Sequence, residues 1–136
     1  MAILTISLLL FAVFIADGAT GKICGCPPGW EKFQDRCYLF VSTPRTWAEA
    51  ERECLRLGGN LASVRNAAED SVLRKMLRNQ RTWIGAYDAT QDGLWLWSDG
   101  SKFDYSGWMS GEPNNHNGRR EDCVEIRNAS KYHKQI

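Results

Sequence analysis

The sequence predicts a single small α+β domain, and three observations support this. Two amphipathic segments with N-terminal capping residues occupy residues 46–78, short apolar runs typical of strands follow from residue 82, and a long polar stretch without periodicity separates the last two runs. The 136 residues, 43% of them hydrophobic, leave room for one core. We therefore expect two helices flanking small antiparallel sheets, with a long loop region.

The N-terminal segment predicts a secretory signal peptide. Residues 2–16 are almost entirely apolar, but the run is shorter than the about 20 residues that span a bilayer. Ala16-Asp17-Gly18 places small residues two apart, as signal peptidase requires. We expect residues 1–18 to be removed, residues 19–25 to form a short N-terminal segment, and residues 26–136 to form the domain. The mature protein is then soluble and extracellular.

The cysteine pattern and the net charge argue against a zinc site and against binding to nucleic acid or to an anionic membrane. The five cysteines leave at least one thiol free or paired with another chain in an oxidising compartment, and no CxxC pair has a matching second pair, so a zinc site is not indicated. A net charge of +1 gives no electrostatic case for nucleic acid or for an anionic membrane. The cysteines are Cys24, Cys26, Cys37, Cys54 and Cys123.

The chain after residue 26 opens with a turn, a strand and a helix. Residues 26–30 contain prolines and a glycine typical of a turn. Residues 33–41 predict a strand of a hairpin, which a disulfide between two flanking cysteines could close. Thr46 and Glu49 then have the spacing of a capping box. An apolar stripe follows, and Gly58-Gly59 ends the helix because glycine adopts the left-handed conformation at low cost. The stripe consists of Trp47, Ala50, Cys54 and Leu57.

A second helix and three strands complete the predicted elements. Asn66 is predicted to be the N-cap, and residues 72–77 supply the apolar face of the helix. Strands are predicted at residues 83–85, 94–97 and 123–126, with Ser98-Asp99-Gly100 as a hairpin turn. Residues 99–120 have no periodicity, and a loop of this length in a small domain is usually functional or disordered. Its aromatic residues argue against disorder.

The stretch 112–122 contains the residues that suggest a chemistry. Carboxylates and side-chain amides are packed together there, and hard oxygen ligands of this kind suit calcium, which takes six to eight oxygens. An X-Pro bond such as Glu112-Pro113 can be cis, which would let Glu112 and Asn114 converge on one ion. A sugar with two neighbouring hydroxyls could then bind the ion and these side chains at once. A solvated acidic loop remains the alternative.

The chain resembles a C-type lectin-like domain from Cys24 to about Ile126, and it is similar to small secreted fish lectins and to type II antifreeze proteins. The likeness rests on several motifs in the family's order. These are Cys26-Pro27-Pro28-Gly29-Trp30, the helix at 47–57 with Cys54, Gly59-Asn60-Leu61-Ala62-Ser63, Trp83-Ile84-Gly85, Trp97-Ser98-Asp99-Gly100, and Glu112-Pro113-Asn114 leading into Glu121-Asp122-Cys123.

The resemblance implies roles for individual residues. Glu112, Asn114 and Glu121 match the sugar-binding calcium site, and the Glu-Pro-Asn order implies mannose-, fucose- or N-acetylglucosamine-type ligands rather than galactose. A second group matches an auxiliary calcium site that would hold the long loop. This group is Asp88, Asp92, Asn115 and Asp122. The resemblance also implies a Cys26–Cys37 disulfide and structural core positions for Trp83 and Trp97.

The chain departs from the family pattern after Cys123. The family continues with a Trp-Asn-Asp segment, two more cysteines and a final strand, whereas residues 127–136 have no strand periodicity. We expect a sugar site weakened by loss of two ligands, Cys54 and Cys123 without their partners, and an open sheet edge where the final strand is missing. A truncated product with an unrelated tail is favoured over a variant that has lost binding.

The best-supported function is calcium-dependent sugar binding, with glycans or glycoproteins as partners. The alternatives are ice binding on the same fold and a non-sugar interaction with another protein. Cys24 could link the chain to a second copy through a disulfide. An enzyme is not expected, because no nucleophile–base pair stands at recognisable spacing.

Overall fold

The computed structural model describes residues 25–115 and 118–127, together with the backbone of residues 133–135. The predicted signal peptide and Cys24 lie outside the described residues. Two helices and two antiparallel sheets form the domain, so the predicted α+β class is confirmed. In chain order the elements are β1 (Glu31–Phe33), β2 (Arg36–Tyr38), α1 (Trp47–Arg56), α2 (Ala67–Met76), β3 (Thr82–Tyr87), β4 (Leu96–Trp97), β5 (Cys123–Ile126) and β6 (His133–Gln135).

The N-terminal hairpin is shorter than predicted. β1 and β2 pair with Lys32 opposite Cys37, and β2 ends at Tyr38, so the predicted continuation of the strand to Val41 is wrong. The disulfide between Cys26 and Cys37 is present, with the two Cα atoms 5.5 Å apart. It ties the turn that precedes β1 to the middle of β2 and so closes the hairpin, as the cysteine positions predicted.

Both helices begin where their capping residues predicted. The Thr46 hydroxyl accepts from the Glu49 amide at 3.2 Å, and the Glu49 carboxylate accepts from the Thr46 amide at 2.9 Å, which completes the capping box of α1. Asn66 caps α2 by accepting from the Glu69 amide at 2.9 Å. On the predicted apolar stripe of α1, Cys54 is buried but Leu57 is 36% exposed, so the buried face ends one turn early.

A buried ion network joins the hairpin to α2. Arg36, 2% exposed, donates to the Glu69 carboxylate at 3.1 Å and to the Ser63 hydroxyl at 2.7 Å. Glu69 is fully buried and also accepts from Arg65. Burial alone would raise the pKa of Glu69, but the hydrogen bonds from Arg65 and the charge of Arg36 hold it below its ordinary value. The carboxylate therefore stays charged in the core.

β3 is the central strand against which the segment between the helices packs. Gly85 donates to the Ala62 carbonyl at 2.8 Å, and a Cβ at Gly85 would lie 2.7 Å from both the Leu61 carbonyl oxygen and the Ser98 hydroxyl. Only glycine allows this approach. Trp83 and Trp97 are 1% and 3% exposed, so their predicted core positions are confirmed.

Residues 98–100 form a turn, but the prediction that this turn connects two paired strands is wrong. The Gly100 amide does donate to the Trp97 carbonyl at 3.0 Å, so a turn forms. However, β4 pairs with the preceding strand β3, with Trp97 opposite Ala86, and the turn leads into irregular chain rather than into a partner strand. Sequence spacing identified the turn but not the strands that pair.

The predicted open edge beside β5 is also wrong. β6 pairs antiparallel with β5, with Lys134 opposite Val124, which gives the strand order β4-β3-β5-β6. Strand pairing satisfies backbone groups whatever the side chains are, so the absence of alternation in the tail did not exclude a strand. The chain leaves β5 at a fixed point, because Arg81 and Arg127 both bind the buried Glu125 carboxylate.

We expect Glu69→Gln to lower the free energy of unfolding by about 3 kcal/mol, because it removes the nearer of the two carboxylates that pair with the buried Arg36 guanidinium and leaves only Asp99, at 3.4 Å. Chemical denaturation at pH 7 measures this change in the free energy of unfolding.

The folded state lowers the pKa of Glu69. The contribution of Glu69 to stability is therefore present above the ordinary carboxyl pKa and is lost as the pH falls through the folded value. The variant should therefore show a shallower loss of stability in acid. Asp104→Asn, at an exposed pair with Lys102, is the control and should cost less than about 1 kcal/mol.

We expect the two remaining described cysteines to be protonated and slow to alkylate in the native state. Burial raises the pKa of the Cys54 thiol, and burial together with the charges of Asp122 and Asp88 raises that of Cys123 to about 12. Peptide mapping after iodoacetamide treatment at pH 7 should find Cys54 unmodified in native protein and both thiols modified in denaturant. Rapid labelling of Cys54 in the native protein would contradict its buried position.

Candidate binding site in the long loop

Pairing of β3 with β5 closes the long loop at its base. Tyr87 lies opposite Cys123, so the chain leaves the sheet at Asp88 and returns at Asp122 on the same side. The Asp88 amide donates to the Asp122 carbonyl at 3.0 Å. Residues 88–122 therefore form one excursion with fixed ends, and every candidate ligand residue lies within it.

Aromatic packing supports the loop from below. The Trp95 and Trp108 rings have centroids 4.8 Å apart, and the Trp97 and Phe103 centroids are 4.9 Å apart. These rings pack against the main core cluster. The loop is thus anchored on buried aromatic surface, which agrees with the prediction that its aromatic residues argue against disorder.

Glu112 and Asn114 lie in contact on either side of Pro113, while their predicted convergence on one ion stays a prediction. The peptide bond between Glu112 and Pro113 is cis, and the Asn114 amide N–H donates to the Glu112 carboxylate at 3.1 Å. The Asn114 side chain donates through Nδ2 to the Gly111 carbonyl at 3.2 Å. Its Oδ1 is buried and has no hydrogen-bond partner in the part of the chain that the structure describes. A buried amide oxygen without a partner is costly, and a bound cation would satisfy it.

Asn115 connects this segment to the rest of the loop. Its Nδ2 donates to both carboxylate oxygens of Asp92, at 3.1 and 3.2 Å, and its Oδ1 accepts from the Glu121 backbone amide at 3.2 Å. Asn115 thereby places Glu121 next to the segment that carries Asn114. The Asn115 side-chain amide thus links Asp92 to the backbone of Glu121.

The base of the loop is occupied by an arginine. Arg120 donates through Nε to the Asp122 carboxylate at 3.2 Å and through Nη2 to the Ala89 carbonyl at 3.2 Å. Asp88 is fully buried, and its Oδ2 accepts from the Gly93 amide at 2.9 Å. Protein donors therefore hold Asp88 and Asp122 in place.

The two predicted calcium sites differ in how well their residues fit an ion. Within residues 25–115 and 118–127, no three His, Cys, Asp or Glu side chains are grouped closely enough to hold a metal ion. The three acids of the auxiliary site, Asp88, Asp92 and Asp122, are therefore not arranged as ligands, and that site does not fit. The other set holds two carboxylates and an amide, and the side-chain oxygen of Asn114 is buried with no hydrogen-bond partner in the described part of the chain, which suits a ligand of a cation.

A polar cavity also lies in the domain, and none of the candidate ligand residues lines it. A cavity of about 580 Å³ opens beside Arg36, Ser63 and Asp99, between the end of α1 and the turn after β4. Its polar side chains bind one another, since Arg36 donates to Ser63 and Ser63 donates to Asp99. This cavity is accounted for by the buried ion network, and the loop remains the candidate site.

Sequence reasoning missed the role of Arg120. Arg119 and Arg120 stand directly before Glu121 and Asp122, and this alternation of cations and acids was the available signal. The pattern could not indicate which arginine turns back toward the loop base, because that depends on the β3–β5 register.

Comparison with known proteins gives one family. The family model described as the lectin C-type domain matches residues 43–135. Ladderlectin of Oncorhynchus mykiss is 43% identical, over 93% of this chain and 82% of its own length. The galactose-specific lectin nattectin of Thalassophryne nattereri is 46% identical, over 74% of this chain and 65% of its own length.

A solved structure shows the same fold. A calcium-independent type II antifreeze protein superposes with a TM-score of 0.75 at 29% identity, covering 82% of this chain and 85% of its own. The predicted likeness to fish lectins and type II antifreeze proteins is therefore confirmed. None of the helices in the described residues is both long and apolar enough to cross a membrane.

Proposed function

Because this chain belongs to the C-type lectin domain family, we propose that it binds sugars through one calcium ion held by Glu112, Asn114 and Glu121. The family binds carbohydrate and is not enzymatic, so the expectation of a binding protein rather than an enzyme is confirmed. The calcium dependence and the sugar class are the proposal. The single observation that carries it is the buried Oδ1 of Asn114, which has no hydrogen-bond partner among the residues that the structure describes, while the backbone amide of Asn114 donates to the Glu112 carboxylate.

Each of the three side chains has a role that its chemistry permits. Glu112 and Glu121 supply negative charge and acceptor oxygens, and Asn114 supplies a neutral oxygen together with an amide donor. A bound calcium ion would supply open coordination positions for sugar hydroxyls, since three side chains provide fewer than the six to eight oxygens that it takes. The remaining positions would be filled by water and by sugar, so we expect modest affinity.

The proposed ligand class is mannose, fucose or N-acetylglucosamine. It rests on the resemblance of Glu112-Pro113-Asn114 to the motif associated with those sugars. The relative nattectin is named as galactose-specific, which makes galactose the competing ligand class. The two classes differ in the orientation of the hydroxyls that reach the ion. A carboxylate accepts hydrogen bonds and an amide can also donate them. The order of the two groups at residues 112 and 114 therefore decides which orientation of the sugar hydroxyls can form hydrogen bonds with both side chains.

Location and partners follow from the same proposal. We propose that the mature protein is secreted after removal of residues 1–18 and binds glycans or glycoproteins outside the cell. Cys24 remains a candidate for a disulfide to a second copy of the chain. Ice binding and calcium-independent protein association are the outcomes that would replace sugar binding in the tests below.

We expect wild-type protein to be retained on immobilised mannose in calcium and released by a chelator. Asn114→Ala should lose retention and weaken calcium binding at least tenfold, because it removes a buried oxygen that has no hydrogen-bond partner among the described residues. The control is Ser110→Ala, an exposed position in the same loop, which should behave as wild type. Thermal hysteresis without sugar retention would replace the proposal with ice binding, and retention that survives the chelator would exclude the calcium mechanism.

We expect the double variant Glu112→Gln with Asn114→Asp to shift preference from mannose toward galactose. The exchange moves the carboxylate from one side of the proline to the other and so reverses which hydroxyl finds an acceptor. Competition with free monosaccharides measures the ratio of the two affinities. Unchanged selectivity in a variant that still binds calcium would show that these residues do not set the sugar class.

A further inference from the structure

We infer that Arg120 takes the place of the auxiliary calcium ion, so that protein contacts close the base of the loop and the chain binds one ion rather than two. The count of one rests on the proposed function. The closure by Arg120 does not, because it concerns hydrogen bonds between groups of the protein itself.

Arg120 reaches both strands of the loop base. Its Nε binds the Asp122 carboxylate just before β5, and its Nη2 binds the Ala89 carbonyl just after β3. The planar guanidinium can direct donors to two separated acceptors at once, which a compact ammonium group does less well. The two bonds add to the backbone bond between Asp88 and Asp122 and cross the base of the loop.

The other auxiliary acids are engaged by neutral donors. Asp92 accepts both of its bonds from the amide of Asn115, and Asp88 accepts from the backbone amide of Gly93. Asn115 stands where an acid would be needed to collect enough charge for a second divalent ion. With one acid replaced by an amide and another paired with Arg120, the group has lost the charge and the convergence that calcium requires.

The arrangement acts on the sugar site through Asn115 and Glu121. Asn115 accepts from the Glu121 amide, and Glu121 lies between Arg120 and Asp122 in the chain. Holding Asp122 and Ala89 together therefore also fixes the backbone that carries Glu121. Arg120 is a positioning residue: it keeps one ligand of the remaining site in place.

Hydrogen exchange of residues 88–122 in excess chelator tests the closure. Arg120→Ala should increase exchange in this segment about fivefold over wild type, as expected for loss of a partly exposed ion pair and a hydrogen bond. Arg119→Ala removes the same charge from the exposed neighbouring position and should leave exchange unchanged. Exchange in β3 serves as the internal check that both variants are folded. Equal exchange in the two variants would overturn the inference.

Calorimetric titration with calcium alone tests the ion count. Wild-type protein should bind one ion per chain, and two ions of comparable affinity would overturn the replacement of the auxiliary site. If the wild type binds no calcium, the proposed function fails on its own, while the exchange comparison in chelator still decides whether Arg120 closes the loop.

Discussion

The antiparallel pairing of β3 with β5 is the constraint on which the binding loop depends. Those strands are separated by the whole excursion from Asp88 to Asp122, and only their register brings the two ends together. Closing so long a loop has an entropic cost, which the buried strands repay through hydrogen bonds and core packing. Gly85 contributes by letting the segment between the helices lie directly against β3. The site is therefore positioned by the sheet before any ligand binds.

The loop itself divides into two parts with different requirements. At its base, Arg120 donates to the Asp122 carboxylate and Asn115 donates to the Asp92 carboxylate. At Asn114, the side-chain oxygen is buried and receives no such donor from the residues that the structure describes. Natural proteins keep few buried polar atoms unsatisfied, and those that persist usually need an explanation. A cation bound at that position, as proposed above, supplies one.

Much of the fold could be predicted because its signals are local. The Thr46–Glu49 capping box and the Asn66 cap are set by residues three apart, and the structure has both. The contact between Glu112 and Asn114 is likewise local. Apart from the overlong first strand and the exposed Leu57, the failures are non-local: β6 pairs by backbone rather than by side-chain pattern, β4 pairs backward with β3, and Arg120 acts across the loop base. None of these depends on a spacing that the sequence displays.

The most direct test of the whole account is a crystal structure of the protein grown with calcium and methyl α-mannoside. The account predicts one ion, with Glu112, Asn114 and Glu121 among its ligands and two adjacent sugar hydroxyls completing its coordination. Arg120 should remain on Asp122. A sugar bound without an ion, or an ion among Asp88, Asp92 and Asp122 with Arg120 displaced into solvent, would contradict it.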